Sequence, residues 1–250
     1  MAVIGLIGGS GLEKLNILRE TRELTVDTTY GPPSSSLYNG KIADNDIYII
    51  SRHARDHSIT PTHVNNRANI TALKDLGCEY IIATTACGSL RDNISRGQIV
   101  FPDQFLDFTK RRINTFYEHF DPGVTGHIAM ADPFSEVLRT KLIEAAVMLK
   151  LAYHPTGTVV TIEGPRFNTR AESNMFRLIG ADIVNMSIAP EAALANEAGI
   201  PYAAVALSTD YDAWKHDEEP VTWAEILKVF EENVKHVTAL LVKALEDFKT

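Results

Sequence analysis

Asp210 and Asp212 stand two residues apart in Ser208-Thr209-Asp210-Tyr211-Asp212, directly after the apolar run YAAVAL. If the extended backbone of that run persists, both carboxylates project to one side, because a strand's side chains repeat every two residues. Neighbouring carboxylates in a partly buried site push their pKa values apart, so that one can hold a proton near neutrality. A protonated Asp210 donating to a ring nitrogen, beside an ionised Asp212 accepting from an exocyclic amine, complements the N7/N6 edge of adenine. The same spacing also suits a metal-binding pair or a solvated strand end.

Three further segments carry groups suited to an oxyanion. Gly8-Gly9-Ser10-Gly11 follows the run VIGLI; its glycines let the backbone approach an anion closely, and the Ser10 hydroxyl can donate to it. Alone it reads equally well as a tight turn, and its spacing fits neither the dinucleotide nor the Walker pattern. Arg52-His53-Ala54-Arg55-Asp56-His57 follows IYIIS. Arginine suits bidentate phosphate capture and a neighbouring histidine adds a donor, although a solvated charged loop is the simpler alternative. His53 and His57 are four apart, but the flanking arginines disfavour a metal ion. The third segment is Thr84-Thr85-Ala86-Cys87-Gly88-Ser89. All three lie at the carboxyl end of an apolar run, the edge at which α/β sheets bind ligands. Gathered there, a serine, an Arg-His pair and a threonine form a compact oxyanion pocket.

Such groups need a scaffold, and the hydrophobic pattern supplies an α/β one. Short β-rich runs are predicted as strands at residues 3–7, 47–51, 80–84, 98–101, 156–163, 182–185 and 202–207. Several are continuously apolar, as in strands covered on both faces. Helical periodicity falls on 64–76, 135–149, 170–178, 190–197 and 222–247. In the last, Trp223, Ile226, Leu227, Phe230 and Val234 recur at three- and four-residue spacing, and Thr222 with Glu225 resembles a capping box. No repeat or linker divides the chain, so residues 1–250 are expected to form a single domain. The polar stretch 108–126, holding Arg111, Arg112, Tyr117 and His119, is long enough for a functional loop.

Composition narrows the partners. With 24 Lys+Arg against 32 Asp+Glu, the 250-residue chain carries a net charge of −8. That field does not attract nucleic-acid backbones, so any phosphate must be held in a local pocket. No charge-free stretch approaches the ~20 residues of a membrane span, and no basic leader precedes a cleavage site. Cys78 and Cys87 match no metal or redox spacing and read as buried small hydrophobes. A cytoplasmic protein with no nucleic-acid or membrane partner is expected.

The segments GLIGGSGL, SRHARDH, VNNRANI, TTACGSLR, TIEGPRF, NMSIAPEA and STDYDAW, in this order, resemble the purine nucleoside phosphorylase superfamily. The resemblance runs from about Val3 into the C-terminal helix. It implies an α/β fold with a mixed, partly barrel-like central sheet surrounded by helices, in a homotrimer or a dimer of trimers. It implies phosphorolysis of 5′-methylthioadenosine to adenine and 5-methylthioribose 1-phosphate, with inorganic phosphate as co-substrate and no metal or organic cofactor. A broader purine nucleoside phosphorylase and a non-catalytic nucleoside-binding protein are the alternatives. Carried over residue by residue, the family's phosphate ligands fall on Ser10, Arg52, His53, Thr85, Ala86 and Ser187. Its base and ribose contacts fall on Phe167, Met186, Asp210 and Asp212, with Asp210 as the catalytic acid. The 5′ pocket falls on Trp223, Ile226 and Leu227, with His127 lent by a neighbouring subunit; Trp223 also reads as plain helix-face packing. Ser187 stands where the branch acting on methylthioadenosine commonly has Thr, and Ile188-Ala189 replaces the more usual Thr-Val or Gly-Val. Relatives acting on 6-oxopurines tend to carry Asn at the position of Asp210, so the paired aspartates favour adenine.

Overall fold

Apolar residues alternate along the central strands in a way that requires cover on both faces. In Tyr80–Ser89, Ile81 and Ala83 belong to one buried cluster while Ile82 belongs to another. In Tyr202–Asp210 the split is Ala204 and Ala206 against Ala203, Val205 and Leu207. This is the two-residue period of a strand buried on both sides. The computed structural model describes residues 1–9, 17–123, 125–216, 222–246 and 248.

Among these residues eleven strands form one mixed sheet. In chain order they are β1 (Val3–Gly8), β2 (Arg19–Leu24), β3 (Leu37–Ile42), β4 (Asn45–Ser51), β5 (Tyr80–Ser89), β6 (Ile99–Val100), β7 (Gln104–Phe108), β8 (Tyr153–His154), β9 (Thr158–Ile162), β10 (Ile183–Asn185) and β11 (Tyr202–Asp210). The main path runs β2-β3-β4-β1-β5-β10-β9-β7, and β5 is the branch point, pairing also with β11, which leads on to β6 and β8. The first half of β5 runs parallel to β1 on one side and to β11 on the other. Its far end turns to meet β10 antiparallel, Ser89 opposite Ile183 and Gly88 opposite Val184.

Helices α1 (Asn66–Asp75) and α4 (Ile188–Glu197) cover one face with Ile70, Leu73, Ile188 and Leu194. On the opposite face α2 (Glu136–Met148) and α5 (Trp223–Glu246) contribute Leu138, Leu142, Leu240 and Leu241. The fifth, α3 (Arg170–Leu178), starts at a capping box in which Thr169 and Glu172 satisfy each other's backbone amides. Thr222 and Glu225 exchange the same pair of bonds at the start of α5.

Two strands run further than their apolar runs predict, and the extension matters for chemistry. β5 continues to Ser89 and β11 to Asp210, so Thr85, Ala86 and Asp210 lie within strands rather than in loops beyond them. Each extension is stabilised by a neighbour that the local sequence does not reveal: β11 and β10 for β5, and β5 itself for β11. Conversely β2, the exposed edge strand RETREL, and β3, with Asn39, Gly40 and Lys41, lack an apolar signature and escaped prediction. Polar edges of this kind protect a sheet against pairing with other chains.

Candidate active site

One cavity of about 350 Å³ collects residues from β5, β11, the loop after β4 and the segments around α3 and α4. Asp210 and Asp212 form its floor at one end, both buried. The geometry differs from an uninterrupted strand. The β5/β11 register shifts between Ser208 and Asp210, so that Asp210 faces Gly88. Such a bulge re-aims the side chain that follows it. Gly88 makes room: a Cβ there would come within 2.8 Å of Asp210 Oδ1. Beyond Asp210 the chain turns, Asp212 has a left-handed φ of 48°, and its amide donates to Asp210 Oδ1 at 2.8 Å. The two carboxylates therefore meet through a turn rather than through the two-residue repeat. Asn168 Nδ2 donates to Asp212 Oδ2 at 3.0 Å. Burial, with the negative charge of Asp212 adding to it, pushes the Asp210 carboxyl up to about 6, against the pull of the Asp212 amide and the Thr209 hydroxyl. Asp210 is thus a buried acid close to its working range.

The opposite end is a set of hydroxyls around a buried cation. Arg52 is 1% exposed, and its Nε and Nη2 form a two-pronged ion pair with the carboxylate of Glu191 on α4, while Nη1 donates to the Thr84 carbonyl at 2.9 Å. Tyr202 donates to the same carboxylate at 2.8 Å. The Nε/Nη2 edge of Arg52 is therefore taken by Glu191, while the residue still lines the cavity. Gly9 makes this packing possible, because a Cβ there would lie 2.5 Å from Arg52 Nη1. His53 Nδ1 lies 2.8 Å from the Ile59 carbonyl, which can only accept, so Nδ1 carries a proton. His57 packs against it, ring centroids 4.8 Å apart.

A relay of polar groups orients the hydroxyls. The Ala189 amide donates to Thr161 Oγ1 at 3.1 Å, and that hydroxyl donates to Asn185 Oδ1 at 2.8 Å. The amide of Asn185 is thereby fixed with Nδ2 toward Thr85 Oγ1, which lies 3.2 Å from Ser187 Oγ. Ser187 caps α4 without a side-chain capping bond. Its hydroxyl and the positive end of the helix dipole both serve the cavity, a setting suited to an anion.

Of the residues singled out in the sequence, Arg52, His53, Thr85, Ala86, Phe167, Met186, Ser187, Asp210, Asp212 and Ile226 line this one cavity. Ser10 and the Trp223 side chain lie outside the described residues. Leu227 is half-buried beside the cavity without lining it. His127 is exposed, 5.3 Å from the ring of Phe120, which stands as close to Tyr117. Glu191, Asn185, Asn168 and Tyr202 were not picked out. For Glu191 a signal exists: a buried arginine needs a buried carboxylate, and Glu191 interrupts the otherwise apolar IAPEAALA. Cys87 also lines the cavity, but burial drives its thiol far above the usual range, and Cys78 up to about 12. Neither is an activated nucleophile.

The chain matches the phosphorylase superfamily over residues 3–246. It is 50% identical over 245 residues to S-methyl-5′-thioadenosine phosphorylase of Danio rerio, covering 97% of this chain and 87% of that protein. Identity to the Xenopus tropicalis protein of the same name is 50% over 246 residues, with the same coverage. Among solved structures, methylthioadenosine phosphorylase from Schistosoma mansoni in complex with adenine superposes with a TM-score of 0.93 at 41% identity, covering 98% of this chain and 91% of that one. A variant of that organism's adenosine/methylthioadenosine phosphorylase in complex with methylthioadenosine gives 0.92 at 40% identity, with the same coverage.

Proposed function

The chain belongs to the phosphorylase superfamily, and from that premise we propose that it catalyses the phosphorolysis of 5′-methylthioadenosine to adenine and 5-methylthioribose 1-phosphate. The observation that carries this reading is the pairing of Asp210, a buried acid at about 6, with Asp212 in one cavity that Arg52, Thr85 and Ser187 also line.

The chemistry follows from charge. Cleaving the C1′–N9 bond leaves positive charge on the ribose and negative charge on the purine. Phosphate, held by Ser10, Arg52, His53, Thr85, the Ala86 amide and Ser187, stabilises the cation and forms the new C1′–O bond. Asp210 delivers its proton to N7, so the bonding pair departs on a neutral adenine. Asp212 accepts from the 6-amino group, Phe167 packs on the base, and Met186 lies under the ribose. Ile226, the residue of α5 that lines the cavity, closes the 5′-methylthio pocket, completed by His127 of a neighbouring subunit. Inorganic phosphate is the co-substrate, and no metal or organic cofactor takes part. The active form is a homotrimer or a dimer of trimers, and the enzyme works in the cytoplasm in purine and methionine salvage. Adenosine is a slower second substrate, since losing one apolar group from the pocket costs only about 1–3 kcal/mol; the Schistosoma relative's name pairs the two nucleosides.

Adenine release from methylthioadenosine, followed with and without phosphate, tests the reading. Release is expected to require phosphate. Equal turnover in its absence, or no adenine at all, overturns it.

A further inference from the structure

Thr60 and Pro61, Pro165 and Met186 line the cavity from three separate stretches of chain. One ion pair that does not itself line the cavity binds these stretches together. Glu163 Oε1 accepts from Thr62 Oγ1 at 2.6 Å and from Arg112 Nε at 2.9 Å. Its Oε2 accepts from the amides of Lys110 and Arg111 at 2.7 and 3.0 Å. The other two nitrogens of Arg112 donate to backbone carbonyls: Nη1 to Met186 at 3.0 Å and Nη2 to Glu163 itself. The Arg112 side chain is 2% exposed. Met186 is also held from its side chain, because a Cβ on Gly164, whose φ is +65°, would fall 2.4 Å from the Met186 sulfur.

We propose that Arg112 and Glu163 are a positioning pair that sets the Met186 floor and the Thr60–Pro61 wall around the sugar of the nucleoside. The proposal rests on the phosphorylase reading for the identity of that ligand. A planar guanidinium reaches one carboxylate and two carbonyls in fixed directions, which the point charge of a lysine cannot do. Burial opposes the charge of Glu163, yet the Thr62 hydroxyl, the two amides and Arg112 outweigh it and hold the carboxyl at about 2. The pair therefore stays charged at any working pH and moves no proton. It acts on shape.

Adenine binds at the Asp210/Asp212 end, so it serves as an internal control for the sugar end. Equilibrium titration of the intact protein with adenine and with 5′-methylthioadenosine compares the two without turnover. Arg112→Ala is expected to weaken the nucleoside about tenfold, the scale of a lost hydrogen bond to a charged group, while adenine affinity holds within about twofold on the same scale. The shape of the kcat/KM pH profile stays as in the wild type, and Arg112→Lys restores little. Parallel weakening of adenine and nucleoside, or no change in either, overturns the proposal. If Arg112→Ala does not fold, Glu163→Gln is read by the same ratio. Failure of the wild type to release adenine in phosphate counts against the phosphorylase reading; the binding ratio judges the pair separately.

Discussion

Asp210 lines the cavity and Glu163 ties together chain segments that line it, and the acidities of these two carboxylates move in opposite directions. Glu163 receives four donors, one of them a guanidinium, and is held at about 2. Asp210 is more deeply buried, receives the Asp212 amide and the Thr209 hydroxyl, faces a second carboxylate, and rises to about 6. Burial opposes the charge in both. The number and charge of the donors decides which carboxyl stays ionised and which holds a proton. One is fixed for structure and the other is left poised for proton transfer.

Replacing each carboxylate by its amide breaks the comparison most directly. Asp210→Asn removes the acid, and phosphorolysis of methylthioadenosine is expected to fall about 10²–10⁴-fold while some inosine activity survives. Equal loss on both nucleosides contradicts the N7/N6 assignment. The same change is expected to stabilise the fold. A carboxyl raised from 3.8 to about 6 binds its proton more tightly in the native state, so stability declines as pH climbs through that window. At pH 7 the penalty is about 3 kcal/mol, and the amide removes up to that amount. Urea midpoints of the variant should exceed the wild type at pH 7 and converge with it near pH 4, the approximate ordinary range of an aspartate.

Glu191→Gln tests a carboxylate whose partner cannot lose its charge. It strands Arg52 in the interior, and a loss of about 3–5 kcal/mol is expected from denaturant titration at unchanged slope. A change below about 1 kcal/mol, the scale of an exposed pair, shows that the Arg52–Glu191 pair does not anchor the fold. The smallest effect is expected from Glu163→Gln, about 1–3 kcal/mol for donors left poorly matched. Its sign is opposite to that of Asp210→Asn. Because the native pKa is depressed, the wild-type contribution is complete above about 4.5 and is lost as pH falls toward 2. The difference between variant and wild type should therefore persist down to about 4.5 and vanish toward 2, whereas that of Asp210→Asn vanishes between about 6 and 4.

The sequence exposed those parts of the molecule in which chemistry and pattern coincide. Apolar runs ending in GGSG, SRHARDH and STDYD marked β1, β4 and β11, and the helical pattern marked α2, α3 and α5 close to their ends. The edge strand β2 stayed hidden because a strand exposed to water has no apolar face to announce it, and β3 because Asn39, Gly40 and Lys41 interrupt its apolar pattern although most of the strand is buried. The site was legible in its residue types more than in its contacts. Arg52 reads as an anion ligand, while its bidentate partner Glu191 lies 139 residues away. Asp210 and Asp212 read as neighbours on a straight strand, but a bulge and a left-handed turn bring them together. Nothing local foretells the link from Glu163 to Arg112 and Thr62, which depends on three segments meeting in space.

The branch at β5 also bears on how the molecule comes into being. Tyr202 pairs with Ile81 and Asp210 with Gly88, so the long strand waits for a partner made much later in synthesis. Until residues 202–210 arrive, one edge of β5 has no β11 beside it, and parallel pairing over such a separation is intrinsically slow. An unpaired central edge is the surface through which nascent chains aggregate. The strand that closes this edge of β5 is also the one that carries Asp210, so a chain stopped short of residue 202 is expected to lack the buried acid and to leave the edge of β5 open at once.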